Sequence, residues 1–347
     1  MSVNKTVKLL LFYYVFLFVL VTHVHATSHV IQEAENSVVD AFKAVYDAER
    51  GGVQVSDLLV QLNNATNYIS EALALYRTGD TIGAIAAAKV SKKIAEKVES
   101  DAIYELMLLN QQKIVDFQLT IYYSTAAIMG IILGALFFWY FCKRKCLEKS
   151  NRNIQIYKKA TIAVSFILVL VATYPLISSF ISLPRTNERF TELWILDSDH
   201  RTENYPFNIT VNAENKVYVS VKNHMGEPAY YVIYVKFCNS TQSEPTREKP
   251  SSMSHLYEYR FVLNDEEMWE VPFTFMVHSA LIDENNCTIE ALSLNGKVFN
   301  VSCTSTWDNQ RRGFFYRLFF ELWIYNASQG SIEYHNRFVR LWLNMTG

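Results

Sequence analysis

Two long apolar runs separated by a short basic connector constrain this sequence more than any other feature. Residues 118–142 and 160–183 are each long enough to cross the roughly 30 Å hydrocarbon core of a bilayer as a helix. The connector, residues 143–159, has seven Lys or Arg and a single acid, Glu148. Because basic loops stay on the cytoplasmic side, the pattern predicts a cytoplasmic connector, two spans of the cell membrane, and both flanking regions outside the cell.

The N-terminus has the pattern of a secretory signal. Lys5 and Lys8 precede an apolar core at residues 9–21, and Val24-His25-Ala26 suits a signal-peptidase site. We therefore interpret residues 1–26 as a signal peptide. The alternative is an uncleaved anchor, and with either reading the next segment lies outside.

Residues 27–117 have the apolar spacing of helices. Three amphipathic stripes are separated by Gly51-Gly52 and by Gly79-Asp80, which predicts an extracellular antiparallel bundle of three helices. No Gly or Pro lies between Ile85 and Ile128, so the third helix is expected to continue into the first span.

The first span carries small residues at four-residue intervals, at Ala126, Gly130 and Gly134. Such spacing lets another helix approach closely, although simple helix flexibility explains it as well. Neither apolar run contains Asp, Glu, Lys, Arg or His, which argues against a proton relay or a transport site.

Residues 184–347 change to strand periodicity. Val217, Val219 and Val221, for example, share one face of a segment whose intervening residues are Tyr218 and Ser220. Several such segments without long intervening helices predict an extracellular antiparallel β-sandwich of immunoglobulin-like type. The predicted fold is therefore an α+β multi-domain membrane protein.

One hairpin of the sandwich suggests a disulfide. Pairing Cys287 with Cys303 places apolar residues on one face and polar residues on the other, with a three-residue loop at 294–296. This register predicts a disulfide between the two cysteines and leaves Cys238 unpaired.

The region outside the predicted spans is rich in N-glycosylation sequons. Each has the Asn-X-Ser/Thr pattern with X other than proline, which predicts an exterior covered by N-linked glycans, or unmodified turn asparagines as the alternative. The sequons are at Asn64, Asn208, Asn239, Asn286, Asn300, Asn326 and Asn344.

The last two predicted strands are apolar on both faces. One face fills the sandwich core, and the other is covered either by a helix or loop of the same domain or by a partner protein or glycan. The candidate partner surface consists of Phe319, Trp323, Tyr325, Phe338 and Trp342.

No motif for catalysis or for metal or cofactor binding is found. The sequence lacks a Gly-x-Ser-x-Gly elbow, a phosphate loop and a His-Glu-x-x-His pair, so we predict no enzymatic activity and no cofactor. Residues 197–200, Asp-Ser-Asp-His, fit a solvated turn better than a cation site. With a formal net charge of -2, nothing indicates nucleic-acid binding.

Three stretches resemble a known family. FTELWILDSDHRTENYPFNITVNAENKVYVSVKNHMGEPAYYVIYV (190–235), EMWEVPFTF (267–275) and FFELWIYNASQGSIEYHNRFVRLWLNMT (319–346) are similar to an archaeal membrane-protein family of unknown function, family 1616 of the domains of unknown function. The resemblance implies an extracytoplasmic immunoglobulin-like domain behind membrane helices, in an archaeon. It implies no activity and no functional residue.

The topology, the sequons and the aromatic strands together favour an interaction protein. We expect a non-enzymatic cell-envelope membrane glycoprotein that binds or scaffolds other surface or membrane proteins through its two ectodomains. The alternative is an accessory subunit of a membrane complex, such as the protein-glycosylation or secretion machinery, with catalysis on another chain.

Overall fold

The computed structural model describes residues 3–146, 162–164, 166–167, 169–170, 173–174 and 188–346. The chain forms two compact units, one of Met1–Glu105 with Asn187–Gly347 and one of Leu106–Thr186. Most of the predicted connector, residues 143–159, lies outside the described residues.

Three helices form the N-terminal part: α1 (Val3–Gly51), α2 (Ser56–Thr78) and α3 (Thr81–Cys146). The predicted break after α2 is confirmed, since Gly79 has φ 90° and its backbone N–H donates to the carbonyl oxygens of Leu75 and Tyr76. Glycine takes this left-handed conformation without steric cost, which is why the helix ends there.

The three helices contact one another through small and branched side chains. Ile31 and Ala34 of α1, Ile69 and Ala72 of α2, and three alanines of α3 form one buried cluster. Across it, Ser91 Oγ donates to the Ala65 carbonyl at 2.8 Å. The alanine side chains in this cluster let the helices approach closely.

The second unit contains the long apolar part of α3. Among the described residues, α3 is the helix that is long and apolar enough to cross a membrane, over Thr81–Phe141. The predicted first span, residues 118–142, falls in α3, which is one helix over its whole length. Within the predicted second span, 160–183, the described residues are helical.

Ten strands follow. They are β1 (Phe190–Leu196), β2 (Asn208–Ile209), β3 (Asn215–His224), β4 (Ala229–Asn239), β5 (Tyr257–Leu263), β6 (Met268–Ile282), β7 (Asn286–Leu294), β8 (Lys297–Thr306), β9 (Phe314–Asn326) and β10 (Ser331–Met345).

These strands form two five-stranded sheets. The first sheet has the order β1-β3-β6-β7-β8, and the second has β2-β10-β9-β4-β5. The strands pair antiparallel except β2, which is parallel to β10. Side chains from the inner faces of both sheets form one hydrophobic core, and Val217, Val219 and Val221 are fully buried in it. The predicted strand alternation is therefore confirmed.

The hairpin of β7 and β8 differs from its predicted register. Leu294 lies opposite Lys297, so the loop is the two-residue turn Asn295-Gly296, with φ 48° and 76°. Positive φ at both positions matches the right-handed twist of paired strands. The neighbouring strand β6 also holds Asn295 in place, since the Oδ1 atom of Asn295 accepts a hydrogen bond from the Thr274 backbone N–H at 3.0 Å.

The predicted pairing of Cys287 with Cys303 is therefore wrong in register. Cys287 lies opposite Ser305, and Cys303 lies opposite Ile289. A bulge between Ile289 and Ala291 absorbs one residue, so the apolar side chains still face the core. Both cysteines are free thiols in the structure.

Candidate functional site

The outer face of the second sheet points away from the sandwich core and carries the predicted partner surface. Phe319 and Tyr325 are buried there, whereas Trp323, Phe338 and Trp342 are half-buried. The structure therefore brings these aromatic residues to one face, as the alternation of β9 and β10 predicts, but does not leave them open to solvent.

Helices α1 and α2 cover part of this outer face. The ring of Phe42 in α1 lies 5.8 Å from the rings of both Tyr230 and Tyr325. Asn63 of α2 exchanges two hydrogen bonds with the backbone of Val262 in β5, at 2.8 and 2.7 Å. A helix of the same unit, which is one of the two predicted coverings, therefore covers Tyr325.

The helices and the sheets therefore belong to one compact unit, where the sequence predicted two separate ectodomains. The physical reason is that the helices and the sheet each retain an apolar face after their own cores are filled. These two faces bury each other.

A buried group of charged residues, which we name the Arg260 network, joins α1, α2 and β5. Arg260 donates to Glu258 at 2.6 Å and also to Glu35 of α1. Glu258 further pairs with His255 at 2.7 Å and with Arg77 of α2 at 3.1 Å. Only 7% of the Arg260 side chain and 3% of the Glu258 side chain are exposed.

Electrostatics keep both central members of the Arg260 network charged. Burial by itself would raise the pKa of Glu258, but Arg260, His255 and Arg77 outweigh it and hold that pKa well below its usual range. Burial would lower the pKa of Arg260, and the carboxylate of Glu258 raises it instead. Each charge has a counter-ion, so the network serves to dock the helices on the sheet.

A second ion pair lies under the loop of residues 240–254, which we name the covering loop. Lys236 of β4 pairs with Glu321 of β9 at 2.8 Å, and Glu321 is fully buried. Ser251 of the covering loop accepts from Lys236 at 3.0 Å, and its backbone N–H donates to Glu321 at 3.0 Å. The loop thereby contributes polar contacts to both side chains.

The half-buried Trp342 lies among arginine side chains. The guanidinium groups of Arg311, Arg317 and Arg340 lie 5.5, 5.3 and 5.7 Å from its ring centre. Arg317 and Arg340 both pair with Glu244 of the covering loop. The ion pairs with Glu244 hold the loop on the sheet, and the cation–π contacts hold the arginines against Trp342.

Sequence reasoning missed Glu258, Arg260, Lys236 and Glu321. Charged residues at alternate strand positions are typical of a solvent-facing side, and nothing in their spacing distinguishes them from surface residues. The sequence of β9 could have indicated that its outer face is buried. Most of its positions are apolar on both faces, so the outer face requires a covering layer.

The sequons differ in accessibility. Asn64, Asn208, Asn286 and Asn300 are exposed, while Asn239 and Asn326 are half-buried. Asn344 is 8% exposed, and its Nδ2 donates to Oδ1 of Asn208 at 3.0 Å. Because a glycan is attached through Nδ2, the folded structure opposes the predicted glycosylation of Asn344. The glycosylation of the exposed sequons stays a prediction.

The small residues of the first span lie on an open helix surface. Ala126 is exposed, and a Cβ atom added at Gly130 or Gly134 would meet no described atom within 4 Å. The predicted packing of this face against another helix stays a prediction.

The carboxylates of two acidic regions are occupied by hydrogen bonds and ion pairs of the protein itself. Asp197 forms the expected turn, since its Oδ1 accepts from the backbone N–H of Asp199 and of Arg201 at 2.9 and 2.8 Å.

A cleft of about 320 Å³ lies between the start of α2 and the β5–β6 turn, with Asp265 and Glu266 in its lining. Asp265 accepts from the Gly226 N–H, and Glu266 pairs with Lys222 and His224. Within the described part of the chain, no group of three or more His, Cys, Asp or Glu could hold a metal ion.

A family model matches part of the chain. Residues 184–300 match the family described as a domain of unknown function (DUF1616), which confirms the predicted resemblance. The matched segment runs from before β1 into β8. The family's description assigns no activity, and the archaeal source stays a prediction.

Solved structures show only distant likeness to the sandwich. A β-glucosidase from Listeria innocua in complex with glucose is 12% identical, with a TM-score of 0.25 over 46% of this chain and 16% of that one. The CARDB domain of a protein from Pyrococcus furiosus is 11% identical, with a TM-score of 0.25 over 46% of this chain and 98% of that one. The ASH / PapD-like domain of human CEP192 is 11% identical, with a TM-score of 0.19 over 48% and 92%.

The chain spans 16% of the length of the β-glucosidase, so that enzyme's activity does not transfer to it. None of the curated proteins matches the chain.

Proposed function

We propose that this protein is a non-enzymatic membrane protein of the cell envelope that binds or scaffolds other surface or membrane proteins. In this proposal the apolar runs cross the membrane twice, the basic connector is cytoplasmic, and the helix–sheet unit lies outside the cell with N-linked glycans on its exposed sequons.

The observation that carries the proposal is the exposed apolar surface of α3. The side chains of Met129, Leu133 and Phe137 are 59%, 61% and 66% exposed, in a helix that is long enough to span a bilayer. Apolar side chains that are exposed along a helix of this length require lipid or another protein around them. The Lys- and Arg-rich connector supports the proposed orientation.

The orientation is tested by adding a protease to intact cells. The expected result is digestion of residues 188–346 and protection of the connector until the membrane is opened with detergent. If residues 188–346 remained undigested in intact cells, before detergent is added, this result would contradict the proposed orientation.

The scaffolding role is tested by crosslinking mass spectrometry on native membranes, followed by copurification in mild detergent. We expect the same small set of membrane or surface proteins in both experiments. A protein that purifies alone and shows only internal crosslinks would count against this role.

The second candidate function is an accessory subunit of a membrane complex, favoured by the open surface at Ala126, Gly130 and Gly134. Replacing either glycine by leucine should release a partner that packs there, since close approach of helix backbones requires small residues. Ile132→Leu, a substitution of equal volume on the same helix, is the control. Unchanged assembly in both glycine variants would remove this candidate.

A further inference from the structure

Two strand edges lie next to each other on one side of the sandwich. β1 is the outermost strand of the first sheet, and β10 of the second sheet pairs with β2 only at Asn344 and Met345. Side chains join the two edges: His335 Nε2 lies 2.9 Å from Thr191 Oγ1, and Arg337 Nε donates to the Thr191 carbonyl oxygen at 3.3 Å. We name this contact, formed by Thr191, His335 and Arg337, the β1–β10 seam.

A bulge in β10 brings His335 to the seam. The register of β9 and β10 shifts between Tyr334 and Arg337, so His335 and Asn336 are extra residues in β10. Asn336 has φ 57°, a left-handed conformation that asparagine adopts more readily than most residues. The bulge turns His335 toward the core, where its ring centre lies 6.1 Å from that of Tyr231.

A chain of hydrogen bonds fixes which nitrogen of His335 carries the proton. The Nδ2 of Asn223 donates to three backbone carbonyl groups, so its Oδ1 accepts. The Tyr231 hydroxyl donates to that Oδ1 at 2.9 Å, and it therefore accepts from Thr191 Oγ1, also at 2.9 Å. Since a hydroxyl has one proton to donate, Thr191 in turn accepts from His335 Nε2. The proton of the neutral imidazole is therefore on Nε2, and a second proton has to bind at Nδ1.

The surroundings of His335 disfavour a second proton. Burial and, to a smaller extent, the positive charge of Arg337 on the same strand lower the pKa of His335 to about 4. Tyr231 of β4 faces the ring as a neutral group, since burial keeps the pKa of its hydroxyl well above the usual range. On β1, the carboxylate of Glu192 pairs with His224 at 3.4 Å. A charged imidazolium in the closed seam would thus be buried beside another cation.

We propose that the β1–β10 seam is a pH-sensitive latch, which is closed while His335 is neutral and opens when a proton from the solvent binds to Nδ1. Opening hydrates the imidazolium and separates the edge of β1 from β10. The proton forms one N–H bond, and no other covalent bond changes.

The two states of the latch define the pH range in which it acts. The pKa of His335 is about 4 in the closed seam and returns to the ordinary histidine value of about 6.5 once the ring is hydrated. Because the closed seam binds the proton more weakly, its stability is complete above about pH 6.5 and is lost as the pH falls toward 4. Between pH 7 and pH 5, the equilibrium constant for opening should increase about 20-fold.

The test is hydrogen–deuterium exchange of the full-length protein in mild detergent at pH 7 and pH 5, corrected for the intrinsic exchange rates. After opening, β1 is held by β3 alone, so the protection of residues 190–196 should fall about 20-fold while the β7–β8 hairpin keeps its protection. His335→Gln should remove this pH dependence, because the amide can still donate to Thr191 but does not titrate. The matched control is His278→Gln, at an exposed histidine of β6, which should retain the pH dependence.

Three results would overturn the latch. The first is a protection of β1 that is equal at both pH values in the native protein, and the second is a pH dependence that persists in His335→Gln. The third is an equal loss of protection in the β7–β8 hairpin, which would show unfolding of the whole unit. The native protein alone gives the first and third results, so the test stands even if His335→Gln does not fold.

Discussion

Replacing Arg260 by Met should destabilise the first unit by removing the central charge of the Arg260 network. Met keeps most of the aliphatic volume, so the change tests the charge more than the packing. Arg260 joins Glu258 of its own strand to Glu35 of α1, and its side chain is 7% exposed.

The expected loss is about 3 kcal/mol of unfolding free energy at pH 7. Removing one partner of a buried ion pair typically costs about 3–5 kcal/mol, because the other charge stays buried without compensation. The lower end applies because Glu258 keeps His255 at 2.7 Å and Arg77 at 3.1 Å. Glu35 is less affected because 19% of its side chain is exposed and can be hydrated.

The loss should depend on pH. In the native protein the pKa of Glu258 is lowered, so its stabilising contribution is present above the unfolded pKa of about 4.3 and is lost as the pH falls toward the folded value. In the Met variant, fewer positive charges oppose the effect of burial, so we expect a higher pKa of Glu258 than in the native protein, and protonation then relieves part of the cost at acidic pH. The difference between variant and native protein should therefore decrease from pH 7 to pH 4.

Urea unfolding of the full-length protein in detergent, followed by tryptophan fluorescence, measures this difference. The matched control is Arg201→Met, which removes an exposed pair with Glu203 at 3.9 Å and should cause no measurable change. A loss below about 1 kcal/mol for Arg260→Met, or an equal loss at both pH values, would refute the assigned role of the charge.

The remaining predictions concern packing, backbone conformation and modification. Phe42→Ala should cost about 3–5 kcal/mol in the same assay, because the 3% exposed ring packs on two tyrosines of the second sheet, whereas Val60→Ala, at a 63% exposed side chain, should cost nothing measurable. Gly79→Ala should cost about 1–2 kcal/mol, because Gly79 has φ 90°; an unchanged urea midpoint would contradict this. Peptide mapping of the native protein should find glycan on the exposed Asn286 and none on the buried Asn344, and the reverse occupancy would contradict the burial argument.

The order of helices and strands could be predicted because periodicity is a local property. Val217, Val219 and Val221 alternate into the core, and Gly79 ends α2, as their sequence patterns indicate. The β7–β8 register could not be predicted in the same way. It depends on a bulge and on contacts between Asn295 and Thr274 of the neighbouring strand, which are distant in sequence.

The covering of the second sheet is a tertiary property as well. The sequence shows that Phe319 and Tyr325 need a cover, but it does not show which segment provides it. The structure assigns this role to Phe42 for Tyr325, and the Arg260 network extends the same interface. Charged strand residues consequently occur in two environments that the sequence alone does not distinguish. They lie either on a solvated surface or in a buried network between a sheet and the helices that cover it.

The composition of the helices explains why they share a unit with the sheet. The buried positions of α3 in the first unit include Ala84, Ala88, Ala95 and Ala102, whose side chains are single methyl groups. Since each buried methylene or methyl group contributes only about 0.8 kcal/mol, an alanine-rich contact between helices buries little apolar surface. The larger side chains of α1 and α2 gain more by packing against the aromatic outer face of the second sheet. Alanine therefore allows the helices to pack closely against one another. Packing against the second sheet then buries more of their apolar surface.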